Sequence, residues 1–241
     1  MSGTPSIRIV EEAGSTNADL AALIREGRAG GEGEWLVARR QSEGRGRHGR
    51  TWFDGSGNFM GSTLVRRLDR DPPPASLSFV AALAVHDAAR RAIGEEADLS
   101  LKWPNDVLLG GGKLSGILLE MVGNNVVVGI GVNLVSAPDL PDRKTASIAD
   151  QGIVPELETF AHGLAEAFAA RLAEWRREGL SVMLQRFLAS SIHAPGSPMR
   201  VHDGQGEPIE GRFAGLETSD GALRLRLADG SEHVIRAGDV D

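Results

Sequence analysis

Four strand-like segments follow one another between residues 99 and 134 with only short turns between them. Apolar and β-branched residues dominate "LSLKW", "VLL", "KLSGILLEMV" and "NVVVGIGVNL", while "LGGGK" (109–113) and "GNN" (123–125) read as turns. Strands joined by tight turns pair antiparallel, because a parallel pair needs a long crossover. This run therefore argues against a Rossmann fold, in which strands and helices alternate strictly.

The remaining segments complete an α+β prediction. Strands are predicted at 6–10, 34–41 and 58–68, and helices within 14–27, over 75–94, from Pro155 onward and around 181–189. After "HAPGSP" (193–198) the chain changes to short strands with frequent turns, which is typical of a small SH3-like β-barrel. We therefore predict a mixed, mostly antiparallel sheet flanked by helices in residues 1–192, and a small β domain in residues 193–241.

Composition excludes several classes of site. The 241 residues include no cysteine, so disulfides and thiolate metal sites are excluded, and the six histidines never occur at a spacing such as HxxxH. The first residues lack the basic and apolar regions of a signal peptide, and no apolar run is long enough to cross a membrane, so we expect a cytoplasmic protein. The net charge of −7 argues against a broad nucleic-acid-binding surface.

The second predicted strand leads into a loop rich in glycine and arginine, "QSEGRGRHGRTW" (41–52). Glycines let backbone N–H groups approach a ligand closely, and Arg45 and Arg47 can each bind a carboxylate or phosphate through two hydrogen bonds. Trp52 adds an aromatic face for stacking. The loop does not match a P-loop, and no helix opens after its last glycine as a dinucleotide-binding motif requires. By itself it leaves open an anion-binding loop, a nucleic-acid-binding arm or a solvated turn.

Two further segments carry polar groups beside exposed backbone. In "KWPND" (102–106), Asn105 and Asp106 lie at a strand end where their side chains can face a cleft. Lys113 enters the next strand beside small residues, from where its ammonium group can reach an anion held against the backbone. Only three of the 26 basic residues are lysines, which singles out Lys102 and Lys113. Solvated lysines and a turn-capping Asp106 are the alternatives.

The segment "GIGVNL" (129–134) places glycines at alternate positions of a strand, on one face. Glycine weakens a strand, so two on one face indicate that a ligand or another part of the backbone packs closely there. Asn133 follows as a candidate hydrogen-bond donor to a phosphate or ribose, with a water-facing amide as the alternative.

Taken together, these segments resemble the biotin protein ligases, which attach biotin to a lysine of a carrier protein. The shared segments, in the order and spacing of that family, are "STN" (15–17), "QSEGRGRHGRTW" (41–52), "KWPNDVLLGGGKLSGILLE" (102–120) and "GIGVNL" (129–134). The resemblance extends to about residue 190 and, more weakly, over the tail. It implies a class II synthetase-like biotin/lipoate ligase fold. It also implies a two-step reaction in which biotin and ATP form biotinoyl-AMP, which a carrier lysine then attacks.

The resemblance also implies roles for individual residues. The expected catalytic residues are Arg45, Arg47, Lys113 and Asp106. The residues expected to bind biotin are Ser15, Thr16, Asn17, Gln41, Gly44, Arg45, Gly46, Arg47, Lys113, Gly116 and Gly131. Those expected to bind ATP are Arg47, Arg50, Trp52, Lys102, Asn105 and Asn133. Mg²⁺ is expected to bind mainly through the ATP phosphates, and no metal site is assigned to protein side chains.

The expected protein partner is the biotin carboxyl carrier protein, without DNA or membrane, and a homodimer is left open. Some family members carry an N-terminal helix-turn-helix domain, but here "STN" begins at residue 15, so we expect no sequence-specific DNA binding. Two alternative functions are a lipoate or octanoate ligase of the same superfamily and a nucleic-acid-binding module that uses the Gly/Arg loop. No role is assigned to His48, which stands where many relatives have arginine.

Overall fold

The computed structural model describes residues 5–141, 143–202 and 207–240, with the backbone alone at His48. Its main sheet has seven strands in the order β1-β2-β3-β7-β6-β5-β4. The strands are β1 (Ile7–Ala13), β2 (Trp35–Gln41), β3 (Phe59–Arg66), β4 (Leu99–Lys102), β5 (Asp106–Leu109), β6 (Gly112–Val122) and β7 (Asn125–Val132). β1 and β2 pair parallel and every other neighbouring pair is antiparallel, which confirms the predicted chain of hairpins.

The two faces of this sheet have different coverings. Helices α2 (Leu77–Ile93), α3 (Leu157–Glu178) and α4 (Leu180–Ala189) form the main core with one face, where alternate β7 residues such as Val128 and Ile130 are buried. Helix α1 (Thr16–Arg25) covers part of the other face and packs on Val127. Strand alternation places Gly129 and Gly131 on this second face, which α1 leaves partly uncovered.

A second, five-stranded sheet follows in the order β11-β10-β9-β8-β12, with all neighbours antiparallel. Its strands are β8 (Pro198–His202), β9 (Ile209–Leu216), β10 (Leu223–Arg226), β11 (Glu232–Ile235) and β12 (Asp239–Val240). This agrees with a small C-terminal β domain. Gly221 lies where the two parts meet: its carbonyl accepts a hydrogen bond of 3.1 Å from Trp103 Nε1, and its backbone packs against Phe79.

The elements agree with the sequence predictions apart from their ends. Ser15 is the N-cap residue of α1, and within the described part of the chain no side chain caps the helix there. Ser15, Thr16 and Asn17 are buried, and they belong to the site described below. No helix within the described ranges combines the length and apolar character needed to cross a bilayer.

Candidate active site

A cavity of about 600 Å³ lies on the face of the main sheet that α1 leaves open. The cavity is lined by residues from the start of α1, the loop after β2, the segment after β7 and six strands, namely β2, β3, β5, β6, β7 and β12. The sequence-predicted residues among them are Ser15, Thr16, Asn17, Gln41, Arg45, Gly46, Arg47, Arg50, Trp52, Asn105, Asp106, Lys113, Gly116, Gly131 and Asn133. Residues distant in sequence therefore meet in one cleft.

A buried polar network forms one part of this cavity. Thr16 N donates a hydrogen bond of 2.7 Å to Gln41 Oε1, and the Thr16 hydroxyl lies 3.1 Å from the same oxygen. Ser62, fully buried on β3, places its hydroxyl 2.7 Å from Thr16 Oγ1 and 2.6 Å from Asn17 Oδ1. Asn17 Nδ2 donates to Glu120 Oε2 over 2.7 Å. The start of α1 is thus held to β2, β3 and β6 through side chains.

Glycines allow other groups to approach the strands closely along the cavity wall. A Cβ atom at Gly129 would lie 2.2 Å from Asn17 Oδ1, and one at Gly131 would lie 2.3 Å from the indole of Trp52. A Cβ atom at Gly116, which is paired with Gly131 across β6 and β7, would lie 2.6 Å from the same indole. Gly129 and Gly131 thus each have a group packed closely on them, but in the structure these groups are side chains, not the ligand or backbone segment that the sequence predicted.

Charged groups gather where β5 and β6 begin. Lys113 Nζ lies 2.6 Å from Asp106 Oδ1, and both side chains are about four-fifths buried. Asn105 Oδ1 accepts a hydrogen bond of 3.1 Å from Arg47 Nη1, while Asn105 Nδ2 donates to the Ile117 carbonyl over 2.7 Å. Each cation is thus held beside an acceptor at the edge of the cavity.

The Gly/Arg loop spans the cavity and reaches the C-terminal sheet. Within the loop, Arg45 forms a β-bridge with Thr51. Arg50 donates a hydrogen bond to the carboxylate of Asp239 on β12, and Arg47 Nη2 donates to the Gly238 carbonyl over 3.3 Å. The C-terminal sheet therefore contributes to the active-site cleft.

Two predicted residues do not line the cavity. Gly44 is buried within the loop itself, where a Cβ atom would be 2.9 Å from the Trp52 carbonyl oxygen. Lys102 lies at the end of β4, close enough to His193 to affect its charge state. The side chain of His48 is outside the described part of the chain.

Sequence reasoning did not assign site roles to Ser62, Glu120 or Asp239. Glu120 ends the recognised segment "KLSGILLE", which was a usable signal, and Asp239 lies in the "GDV" of the tail, where the resemblance is weaker. Ser62 belongs to a segment without a motif. Two buried polar atoms in the cavity wall, Trp52 Nε1 and Asn133 Oδ1, have no hydrogen-bond partner among the residues that the structure describes. Among the described residues, no group of three or more His, Asp or Glu side chains is placed to hold a metal ion.

Comparison with known proteins agrees with this geometry. Residues 29–134 match the biotin/lipoate A/B protein ligase family, and residues 196–241 match the biotin protein ligase C terminal domain. The fold and the cavity are thus those of a ligase class that acts on biotin or lipoate.

Comparison with individual relatives identifies the family within this ligase class. A biotin--[acetyl-CoA-carboxylase] ligase from Paracoccus denitrificans is 41% identical over 94% of this chain and 96% of its own. The chain belongs to the biotin protein ligase family. The Aquifex aeolicus biotin protein ligase, solved with biotin and ATP, superposes with a TM-score of 0.83 at 24% identity over 98% of this chain and 97% of its own. The Leishmania major enzyme, solved with biotinyl-5-AMP, gives 0.67 at 25% identity over 97% and 99%.

Proposed function

We propose that this protein attaches biotin to a carboxylase carrier domain in an ATP-dependent reaction that proceeds through biotinyl-5'-AMP. The names of its full-length relatives and the ligands bound in the solved relatives support this function. The observation in the structure that carries it is a single cavity with a neutral hydrogen-bonding part and a charged part.

The spacing of these two parts suits biotin. The polar network lies beside Gly129, which pairs with Leu118 on β6, whereas Lys113 lies five residues earlier on that strand. At about 3.3 Å per residue, the backbone positions of Leu118 and Lys113 are roughly 16 Å apart along the sheet, and the long Lys113 side chain spans part of that distance. Biotin has a polar ureido ring at one end, an apolar chain and a carboxylate at the other end. Between the two parts, Gly116 and Gly131 line the wall, and the Trp52 indole that packs on them would move aside to let the chain lie flat.

In the first step, a biotin carboxylate oxygen attacks the α-phosphorus of ATP, and the bond to the β-phosphate oxygen breaks to release pyrophosphate. Two anions must approach each other, so fixed positive charge is the main contribution that the protein can make. We assign this role to Lys113, Arg45 and Arg47. Arg50, Trp52, Asn105 and Asn133 would hold the nucleotide, and the unpartnered Trp52 Nε1 and Asn133 Oδ1 are available for it.

In the second step, the amine of the carrier lysine attacks the acyl carbon, AMP leaves, and the nitrogen loses a proton. Asp106 is suited to orient that amine because its carboxylate already accepts a hydrogen bond from the Lys113 ammonium group. The names of the relatives indicate a subunit of acetyl-CoA carboxylase as the partner, and we propose its biotin carboxyl carrier domain.

Mg²⁺ would arrive with ATP and neutralise the β- and γ-phosphates. The cavity carboxylates Asp106 and Asp239 each face a cation, so they do not form a ready metal site. We further propose that the domain boundary lies near residue 192, before β8. A cytoplasmic location and the oligomeric state stay predictions from the sequence.

The decisive experiment is transfer of labelled biotin to a purified carrier domain, with and without ATP. We expect label on the carrier with ATP and none without it. ATP–pyrophosphate exchange driven by biotin, by lipoate or by octanoate distinguishes the alternatives within the superfamily. Exchange with lipoate or octanoate but not with biotin would contradict the proposal, as would nucleic-acid binding without ATP consumption.

A further inference from the structure

The turn before β3 ends in a fully buried side chain, Asn58, that does not line the cavity. Its Oδ1 accepts hydrogen bonds from Val135 N over 2.9 Å and from Ser136 N over 3.2 Å, and its Nδ2 donates to the Ser136 carbonyl over 2.7 Å. Backbone N–H groups can only donate and a carbonyl can only accept, so these partners require an acceptor and a donor on one side chain. The amide of Asn58 therefore holds the backbone of the segment that follows β7.

Gly55 brings the end of the Gly/Arg loop to the same place. A Cβ atom at Gly55 would lie 2.3 Å from Asn58 Nδ2 and 2.6 Å from the ring of Phe53. It would also lie 2.9 Å from Ser136 Oγ. The Gly55 carbonyl accepts a hydrogen bond of 2.9 Å from Asn58 N. Residues 53–58 and 135–136 thus form one junction, in which no space is left for a side chain at position 55.

Each side of this junction continues into a wall of the cavity. On one side, Trp52 and Phe53 line the cavity. On the other side, Asn133 lines it just before the backbone that Asn58 holds. We assign both Trp52 and Asn133 to the nucleotide. The hydrogen bonds of Asn58 therefore join the two segments between which the nucleotide would bind.

We propose that Asn58 is a positioning residue for ATP, because it fixes the two nucleotide-binding segments relative to each other without touching the substrate. A nucleotide that binds between segments already in place does not have to order them, so these hydrogen bonds lower the KM for ATP. The part of the cavity assigned to the ureido ring depends on other hydrogen bonds, such as those between Thr16 and Gln41. This inference rests on the proposed function, since it assumes that ATP binds between Trp52 and Asn133.

Two variants disturb the junction in different ways. Asn58→Ala removes all three hydrogen bonds to residues 135–136, whereas Gly55→Ala keeps the amide and crowds it with a Cβ atom. Because φ of Gly55 is not positive, alanine there adds crowding without backbone strain. Ser76→Ala is the matched control, since Ser76 is also fully buried and accepts a hydrogen bond from the Trp175 indole. Neither Ser76 nor Trp175 lines the cavity.

The test measures ATP–pyrophosphate exchange at saturating biotin, and calorimetric titration of biotin into the full chain without ATP. We expect Asn58→Ala and Gly55→Ala to raise the KM for ATP about tenfold, while the Kd for biotin and kcat stay within about twofold of the wild type. Ser76→Ala should lower thermal stability and leave both constants unchanged. General loss of structure would not produce this separation of ATP from biotin.

An unchanged KM for ATP in either junction variant would overturn the inference. If Asn58→Ala does not fold, Gly55→Ala alone decides the outcome. An equal rise of the KM for ATP in Ser76→Ala, or a Kd for biotin that rises as much as the KM for ATP, would also overturn it, because the effect would then be general. Absence of biotin-dependent exchange in the wild-type protein would instead overturn the proposed function.

Discussion

Lys113 faces the cavity because of a local irregularity in β6. The pairing of β5 with β6 shifts register between Val107 and Leu108, which leaves Leu114 as an extra residue in β6. Beyond this bulge, Gly116 and Glu120 belong to the open face of the sheet, and simple alternation would place Lys113 on the opposite, core-facing side. The bulge reverses this alternation, so that Leu114 is fully buried in the core and Lys113 lines the cavity.

Replacement of Lys113 by alanine tests its role at the level of one residue. We expect biotin-dependent ATP–pyrophosphate exchange to fall at least 100-fold, because one of the three cations that we assign to the reacting phosphate is lost. Thermal stability should change little, since the partner carboxylate of Asp106 can become hydrated at the cavity edge. Lys144→Ala is the matched control, because Lys144 is exposed and binds the Gly110 carbonyl instead. Retention of full exchange activity by Lys113→Ala would disprove the assignment.

Individual residues show how far the sequence can predict this site. Residue types and their order indicated Lys113, Asp106 and the loop arginines, because motif segments keep their spacing whatever the fold. The sequence did not predict the side of the sheet that Lys113 occupies, since a bulge depends on pairing with β5. The partner of Asn17 was equally hidden, because 103 residues separate it from Glu120.

At the level of elements, the Gly/Arg loop and β12 stabilise each other's positions. Arg47 and Arg50 both reach β12, and neither contact could be predicted from local sequence because about 190 residues separate the partners. Arg47 and Arg50, which form this contact with β12, are also residues that we assign to ATP binding. Loss of the β12 partner should therefore loosen the loop more than it alters the sheet.

Limited proteolysis measures this coupling directly, because trypsin cleaves after arginine. We expect Asp239→Ala to speed cleavage within residues 45–50 several-fold, since Arg50 loses its carboxylate partner. Biotin with ATP should restore protection in the variant. Glu207→Ala, an exposed change in the same small domain, serves as the control. Equal cleavage rates in Asp239→Ala and the control would mean that the contact with β12 does not restrain the loop.

At the level of the whole molecule, the turn before β10 packs the C-terminal sheet on helix α2. Gly221 in this turn has φ +79° and packs so closely on Phe79 of α2 that a Cβ atom would lie 2.3 Å from the ring. Gly230, in another turn of the same sheet, has φ +85°, and none of the described atoms lies within 4 Å of its Cβ position. Substitutions at the two glycines therefore distinguish backbone strain from the packing of the C-terminal sheet on α2.

Replacement of Gly221 and of Gly230 by alanine gives a matched pair of variants. We expect Gly230→Ala to lower the free energy of unfolding by about 1 kcal/mol through strain alone. Gly221→Ala should lower it by about 3 kcal/mol, because Phe79 must also move within the core. Urea denaturation of both variants measures the difference. Equal losses would show that the contact of this turn with Phe79 of α2 contributes little to stability.

His193 links the stability of the whole molecule to pH. It is buried where the helical part meets the C-terminal sheet, and burial together with nearby Lys102 lowers its pKa to about 4. The unfolded chain, with an ordinary value near 6.5, then binds a proton that the folded chain does not bind between about pH 6.5 and pH 4. The free energy of unfolding should therefore fall as the pH falls through this range.

Comparison with His193→Gln isolates this contribution. Between pH 7.5 and pH 5, we expect the wild type to lose about 2 kcal/mol more stability than the variant, because glutamine does not titrate. Acidic groups with lowered pKa values, such as Asp87 and Glu174, titrate in both proteins and cancel in the difference. Parallel losses in the two proteins, measured by urea denaturation at both pH values, would argue against this effect.

The overall architecture followed from the sequence where neighbouring segments determine it. Hairpins such as β6–β7 were predicted correctly because a short turn leaves antiparallel pairing as the available arrangement. The position of β7 between β3 and β6 was not predicted, since it depends on long-range packing. The contact of β12 with the cleft was hidden for the same reason.

The position of Trp52 makes intrinsic tryptophan fluorescence a probe of ligand binding in the cavity. The chain has four tryptophans and no tyrosine, so its near-ultraviolet emission comes almost entirely from indoles. Trp35, Trp103 and Trp175 are at most 3% exposed in the core, whereas Trp52 is half-buried against Gly116 and Gly131. A ligand that packs against Gly116 and Gly131 must displace or cover the Trp52 indole. The change in fluorescence should therefore follow occupancy of the cavity without any attached dye.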